Sequence, residues 1–244
     1  MAEFNQRPSV AQTSATRAHE VDVGLRSYMM KVYNYMALGV AFTAIVALFT
    51  AANPALMQAV ALGPFKWVLF IGILGMGFFA PRLIFSGNTM LAHLSFWVYA
   101  AMWGMLISPM IYLYMNQNPG IIVQAFAITA VTFGATSLFG YVTKKDLSPF
   151  ATFFLMATIG LLIAMLVNAF FVQSSMMSLF VSGAVVLLFS AITAWETQMI
   201  KEMYLESDAH GVASQKAIFG AFLLYGSFVT LFIHILNILG IMRE

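Results

Sequence analysis

Cysteine is absent from all 244 residues, which excludes disulfides, thiol catalysis and thiolate metal sites together. Charge is nearly as scarce. Asp, Glu, Lys and Arg make up 8% of the chain, against about 25% in a soluble domain. So few charges cannot cover a water-facing surface of this size. The pI is 8.9, but the net charge is only +2 and the basic residues are dispersed. Without a basic stripe, nucleic acid is excluded as a partner. Also missing are a His-Glu-x-x-His zinc helix, a Gly-x-Ser-x-Gly elbow and a phosphate-binding Walker loop. A retinal protein needs a lysine deep in its last helix. Here Lys216 stands only at that helix's entrance, and the third helix has no acidic counter-ion. The expectation is a protein that is not an enzyme and carries no cofactor.

What fills the chain instead is apolar: 61% hydrophobic residues and a mean hydropathy of +0.89. A bilayer crossing takes about 20 apolar residues, so about six to eight helices occupy nearly everything. The reading is an all-α polytopic membrane protein of about seven transmembrane helices, with the lipid bilayer as its main partner. Residues 1–28 read as a polar cytoplasmic tail and 29–244 as the transmembrane domain. The tail, with Arg7, Arg17, Glu20, Asp22 and Arg26 but no apolar run, does not read as a cleavable signal peptide.

Polar breaks place the spans. The first runs roughly from Val32 to Thr50, before Asn53-Pro54. The second runs from Phe65 to Ala80, closed by Pro81-Arg82, and the third from Met90 to Tyr114. Asn116-Gln117-Asn118-Pro119-Gly120 is the clearest loop, and the fourth helix follows from Ile121 to Val142. Ser148, with Pro149 behind it, reads as the cap of a fifth helix ending near Phe171. The sixth runs from Met177 to Ile200 and the seventh from Ala217 to Leu239.

The eleven Lys and Arg residues orient this pattern. With the N-terminus in the cytoplasm, Arg7, Arg17, Arg26, Lys31, Arg82, Lys144, Lys145, Lys201 and Lys216 lie inside, and only Lys66 and Arg243 lie outside. An odd helix count then puts the C-terminus outside, and a re-entrant last segment would return it. The short loops and absent targeting peptide favour a bacterial inner membrane.

Polar atoms within apolar helices carry the functional signal, because a charge in the bilayer costs roughly 2.5–3.5 kcal/mol on insertion scales. Glu196 is the sole acid inside an expected span. It either snorkels to the interface and pairs with Lys201, or faces the interior to bind protons or cations. On the last helix Ser227, Thr230, His234 and Asn237 share one face, extended by Gly220. That stripe serves either as interhelical hydrogen bonds or as the lining of a wet path. Thr129, Thr132 and Thr136 read as packing residues returning hydroxyls to the preceding turn. Asn168 and His93 are further interior candidates. A metal site from His93, His234 and Glu196 is disfavoured, because His234 belongs to the opposite half from the other two.

Several fragments, in order and spacing, resemble one family. They are Gly24-Leu25-Arg26-Ser27-Tyr28-Met29 with Val32-Tyr33, and Gly140 through Ser148. Ala194-Trp195-Glu196-Thr197-Gln198 follows, then Leu224-Tyr225 leading to Phe228 and Leu231-Phe232. Over roughly Gly24 to Gly240 the chain resembles the bacterial branch of the Bax inhibitor-1 proteins. The resemblance implies seven helices with the last central among the other six. It also implies a pH-sensitive calcium leak gated by two aspartates on the sixth and seventh helices, where close carboxylates share a proton, and a basic latch on the second helix.

This chain departs from that pattern. Glu196 stands at the first aspartate position, Ser227 at the second, and Thr230 where an asparagine is usual. Arg82 is the candidate latch, with Lys66 as the alternative. The resemblance therefore implies a channel or leak for cations such as Ca²⁺, with Glu196, Ser227, Thr230 and His234 along the path and a weakened or shifted pH response. The alternative is a non-conducting regulator that binds other membrane proteins, such as a membrane protease or stress-response complex.

Overall fold

In the computed structural model, the backbone of residues 10–243 and the side chains of residues 23–243 are described. Eight α-helices follow in order: α1 (Val10–Ala52), α2 (Pro54–Ala61), α3 (Phe65–Ile84), α4 (Thr89–Gln117), α5 (Pro119–Val142), α6 (Ala151–Val167), α7 (Ser175–Glu202) and α8 (His210–Ile241). Seven segments are long and apolar enough to cross a membrane; the eight-residue α2 is not among them. The protein is an all-α polytopic membrane protein.

Polar punctuation works as helix capping. The Asn53 side chain accepts from the N–H groups of Ala55 and Leu56 at 3.1 and 3.2 Å, with Pro54 at the first helical position. This adds a short helix that no periodicity in the sequence announced. Asn88 caps α4 through Met90 and Leu91, and Asn118 caps α5 through Gly120 with Pro119 behind it. Such caps satisfy amides that lipid could not.

Four boundaries differ from expectation, and one of them is the start of α8, at His210 instead of near Ala217. Helix α1 begins at Val10, not near Val32, because a polar sequence without Pro, and with Gly24 as its single glycine, can continue a helix beyond the membrane. The side chains of the expected tail fall largely outside the described residues. Pro81 lies inside α3, which runs on to Ile84. Ser148 does not cap α6 with its side chain. It opens a 3-10 turn (Ser148–Phe150), and its N–H donates to the Asp146 carboxylate at 2.9 Å. That N–H, aided by the Ser148 hydroxyl, holds the Asp146 carboxyl below its usual range. Its support for the turn is therefore present above the ordinary carboxylate range and fades as pH falls through the lowered value.

Helix α8 is the centre. Of its most apolar window 72% is buried, against 6% for the fifth span, which contains α6. Helices α1, α4, α5 and α7 pack around α8 and α3 touches it, whereas α6 packs on α7. The six-fold surround implied by the resemblance is thus a near surround, with α6 on the periphery.

Lipid offers no hydrophobic drive between helices, so close packing and buried hydrogen bonds hold the bundle. Tyr225 is fully buried, and its hydroxyl meets Thr43 Oγ1 at 2.6 Å, while Thr43 donates to the Ala100 carbonyl at 3.1 Å. One chain of polar atoms thereby joins α8, α1 and α4. Tyr99 and Phe222 pack beside it with tilted rings whose centres are 4.4 Å apart. Pro109 inside α4 cannot donate to Met105, and the Ser108 hydroxyl occupies that freed carbonyl at 2.7 Å.

Candidate functional site

Helices α7 and α8 pack along their lengths, and their shared seam collects polar side chains. Glu196 of α7 turns inward and is 7% exposed; Ser227 of α8 is 2% exposed. Ser227 Oγ donates to Glu196 Oε2 at 2.7 Å. Among the described residues this is the carboxylate's one hydrogen bond, and no cation pairs with it. The pairing with Lys201 weighed from sequence is not made. Lys201 Nζ instead donates to the Tyr141 carbonyl at 2.9 Å and lies 5.2 Å from that ring's centre.

Two side chains fix the approach to this corner. Gln198, also buried, accepts from the Leu147 N–H at 2.8 Å and donates to the Lys145 carbonyl at 2.9 Å, clamping the α5–α6 loop to α7. Thr197 returns its hydroxyl to Thr193 and meets Ser137 Oγ at 3.0 Å; Ser137 in turn meets the Tyr33 hydroxyl at 2.5 Å. This network from α1 through α5 to α7 ends one residue from Glu196.

Farther along the seam, His234 Nδ1 lies 3.1 Å from Ser182 Oγ, and Asn237 donates to Ser178 and Ser182 at 2.9 Å each. Seven residues separate Ser227 from His234, roughly 10 Å along the helix. Thr230 stands between them, its hydroxyl returned to the Gly226 carbonyl at 2.8 Å. Beyond it opens a cavity of about 380 Å³ with Ser178, Ser182, His234, Asn237 and Asn168 as its polar wall and apolar side chains such as Met110, Met165 and Ile233 completing it. Asn168 ties the turn into α7, accepting from the Ser174 N–H and donating to its carbonyl. The seam thus has a carboxylate at one end, the polar wall of a cavity at the other, and packed side chains between.

The remaining candidates lie elsewhere. Arg82 is exposed near the end of α3 and makes no ion pair among the described residues. It shares an end of the bundle with Glu196, since Phe85 meets Phe219 of α8 at 5.1 Å, two turns before Ser227. Lys66 lies over the Trp67 ring, 5.8 Å from its centre, at the far end of α3. His93 packs against Tyr35. Thr129 and Thr136 return their hydroxyls to Ala125 and Thr132. Among the described residues no three His, Asp or Glu side chains gather as a metal site.

Sequence reading missed Ser178, Ser182, Ser137 and the roles of Thr197 and Tyr33. A signal existed for the first pair, since Ser178 and Ser182 are spaced i, i+4 and face α8. On α5 the buried row is Ala125, Thr129, Phe133 and Ser137, an i+4 series. The threonine spacing of three and four had pointed to a neighbouring row.

Comparison with known proteins is consistent over the whole membrane domain. The family model described as inhibitor of apoptosis-promoting Bax1 matches residues 25–244. An uncharacterized protein of Deinococcus radiodurans is 38% identical over 234 residues, 94% of this chain and 96% of the relative. One of Rickettsia prowazekii is 35% identical over 232 residues, covering 95% and 97%. The inner membrane protein YbhL of Escherichia coli K12 is 32% identical over 243 residues, covering 98% and 99%.

Proposed function

Since this chain belongs to the Bax inhibitor-1 family, we propose that it is a cation leak of the inner membrane, passing ions such as Ca²⁺ along the α7–α8 seam. The observation that carries this reading is the buried Glu196–Ser227 pair on a polar stripe that continues to the polar wall of an open cavity. An interior acid is expensive in a bilayer and is kept where ions or protons pass. Glu196 is the charged station; Ser227, Thr230 and His234 line the path; the cavity is its vestibule. A calcium ion at rest takes six to eight oxygens. One carboxylate and one hydroxyl fall far short of that, which suits transit better than storage. In this reading Thr230, half-buried and with its hydroxyl returned to Gly226, stands between the two ends of the path.

The positive-inside distribution puts the Glu196 end in the cytoplasm and the vestibule outside. The cysteine-free chain provides its own background for testing this. A membrane-impermeant thiol reagent added outside intact cells should label Asn116→Cys and spare Lys144→Cys, and the reverse pattern would invert the proposed orientation.

The pH response follows from the single carboxylate. Two neighbouring acids titrate as a coupled pair, and Ser227 cannot take part. Flux should therefore follow a shallow, one-proton pH profile, and Ser227→Asp should steepen it or add a second step. A wild-type profile already as steep as that of the variant would contradict this reading. The second reading, a non-conducting regulator of other membrane proteins, is favoured by one fact: Glu196 does not line the vestibule. Purified protein that moves no ions would support it.

A further inference from the structure

Helices α1 and α5 both lean on α8 and meet each other through the Tyr33–Ser137 hydrogen bond, without extensive packing of one on the other. Their antiparallel courses leave a lateral crevice holding two cavities. One, of about 540 Å³, lies between Arg26, Met30 and Tyr33 of α1 and Gly134, Leu138 and Tyr141 of α5. The other, of about 390 Å³, lies nearer the opposite end, between Val40 and Ala47 of α1, Ile107 and Ile111 of α4, and Val123 and Phe126 of α5, floored by Phe228 and Phe232 of α8. From Arg26 to Ala47 is roughly 30 Å of helix, the depth of a bilayer's hydrocarbon core.

The two ends of the crevice differ in charge. The second cavity is apolar except for Thr43, whose hydroxyl is already bonded within the core. The first has cations at its mouth. Arg26 is exposed and pairs with no acid among the described residues. Lys201, bonded to the Tyr141 carbonyl, likewise lacks a carboxylate partner. Lys144 and Lys145 follow on the loop just after Tyr141 and the end of α5. Among the described acids, Asp146 is taken up by Ser148, Asp208 pairs with Lys216, and Glu202 beyond Lys201 forms no ion pair with these cations.

We propose that the α1–α5 crevice is a binding site for one anionic phospholipid. Its phosphate lies against Arg26 near the Lys201–Tyr141 corner, and an acyl chain runs past Gly134 toward the apolar cavity. Charge complementarity identifies the headgroup, and the length and apolar lining identify the chain. The site is independent of whether the α7–α8 seam conducts.

Native mass spectrometry of the purified full-length protein tests this, with phosphatidylglycerol and phosphatidylcholine of identical acyl chains as probes. The wild type should retain phosphatidylglycerol preferentially. Arg26→Gln should weaken that retention about fivefold, the effect of one basic residue at an anionic headgroup, and should leave phosphatidylcholine unchanged. Gly134→Leu should displace the chain of the bound lipid with every charge in place. A Cβ at Gly134 meets nothing within 4 Å, and leucine favours the helix, so this variant is expected to fold; Arg26, being exposed, decides the matter if it does not. Equal retention of the two lipids by the wild type would overturn the proposal. So would undiminished phosphatidylglycerol binding by Arg26→Gln, or its displacement by inorganic phosphate.

Discussion

Replacing Glu196 with glutamine should lower cation flux by roughly tenfold or more, while the protein folds as before. The substitution keeps size and shape and removes only charge. The glutamine carbonyl can still accept the Ser227 hydroxyl, which donates to Glu196 Oε2 at 2.7 Å, so the α7–α8 seam keeps its contact. A charged hydrogen-bonding partner is worth about 1.5–3 kcal/mol, and each 1.4 kcal/mol is a factor of ten. A cation crossing the seam loses its one buried counter-charge and pays at least that much. Thermal stability should hold or rise, because a buried carboxylate without a cationic partner is costly to keep. The two readouts separate the roles: a structural carboxylate would lose stability on substitution, and a conducting one loses flux.

The second large effect concerns Gly140. Helices α5 and α7 cross so closely there that an added Cβ would fall on the Ala194 carbonyl. Backbone cannot rotate aside as a side chain can, so Gly140→Ala should force the helices apart. Overpacking of this kind costs about 1–3 kcal/mol and sometimes more. The crossing lies two residues from Glu196, so the displacement reaches the seam. Gly160→Ala is the matched control. A Cβ there meets nothing within 4 Å, and removing a helical glycine stabilises by about 0.5–1 kcal/mol. Thermal melts in one detergent should move in opposite directions for the two variants. A melt of Gly140→Ala equal to or above that of the wild type would mean that this contact does not hold α5 and α7.

How much of this was legible beforehand depended on the kind of signal. Span number and order followed from apolar length and from Asn-Pro and Gly-Pro punctuation, because lipid forces every backbone amide into a helix or a cap. The short α2 was not legible: its register depends on Asn53 capping eight residues too few to cross. The extension of α1 to Val10 was missed because apolar content marks where lipid ends, and a helix can continue past it. For Glu196, sequence narrowed the choice to two orientations. Packing decided between them, since Lys201 finds Tyr141 instead. His234 and Asn237 were visible as half of a seam. Their partners Ser178 and Ser182 were not, because small hydroxyl residues are common in membrane helices and only the facing helix gives them meaning. The α1–α5 crevice had no sequence signature, being a gap between helices distant in the chain.

Calcium uptake into sealed liposomes containing the wild-type protein, over a pH series spanning the carboxylate and histidine ranges, tests the central claim most directly. Protein-free liposomes and Glu196→Gln are measured alongside. The account predicts uptake above the protein-free rate that depends shallowly on pH and falls to near background in the variant. Uptake at the protein-free rate throughout the series, or uptake that Glu196→Gln leaves unchanged, would contradict it.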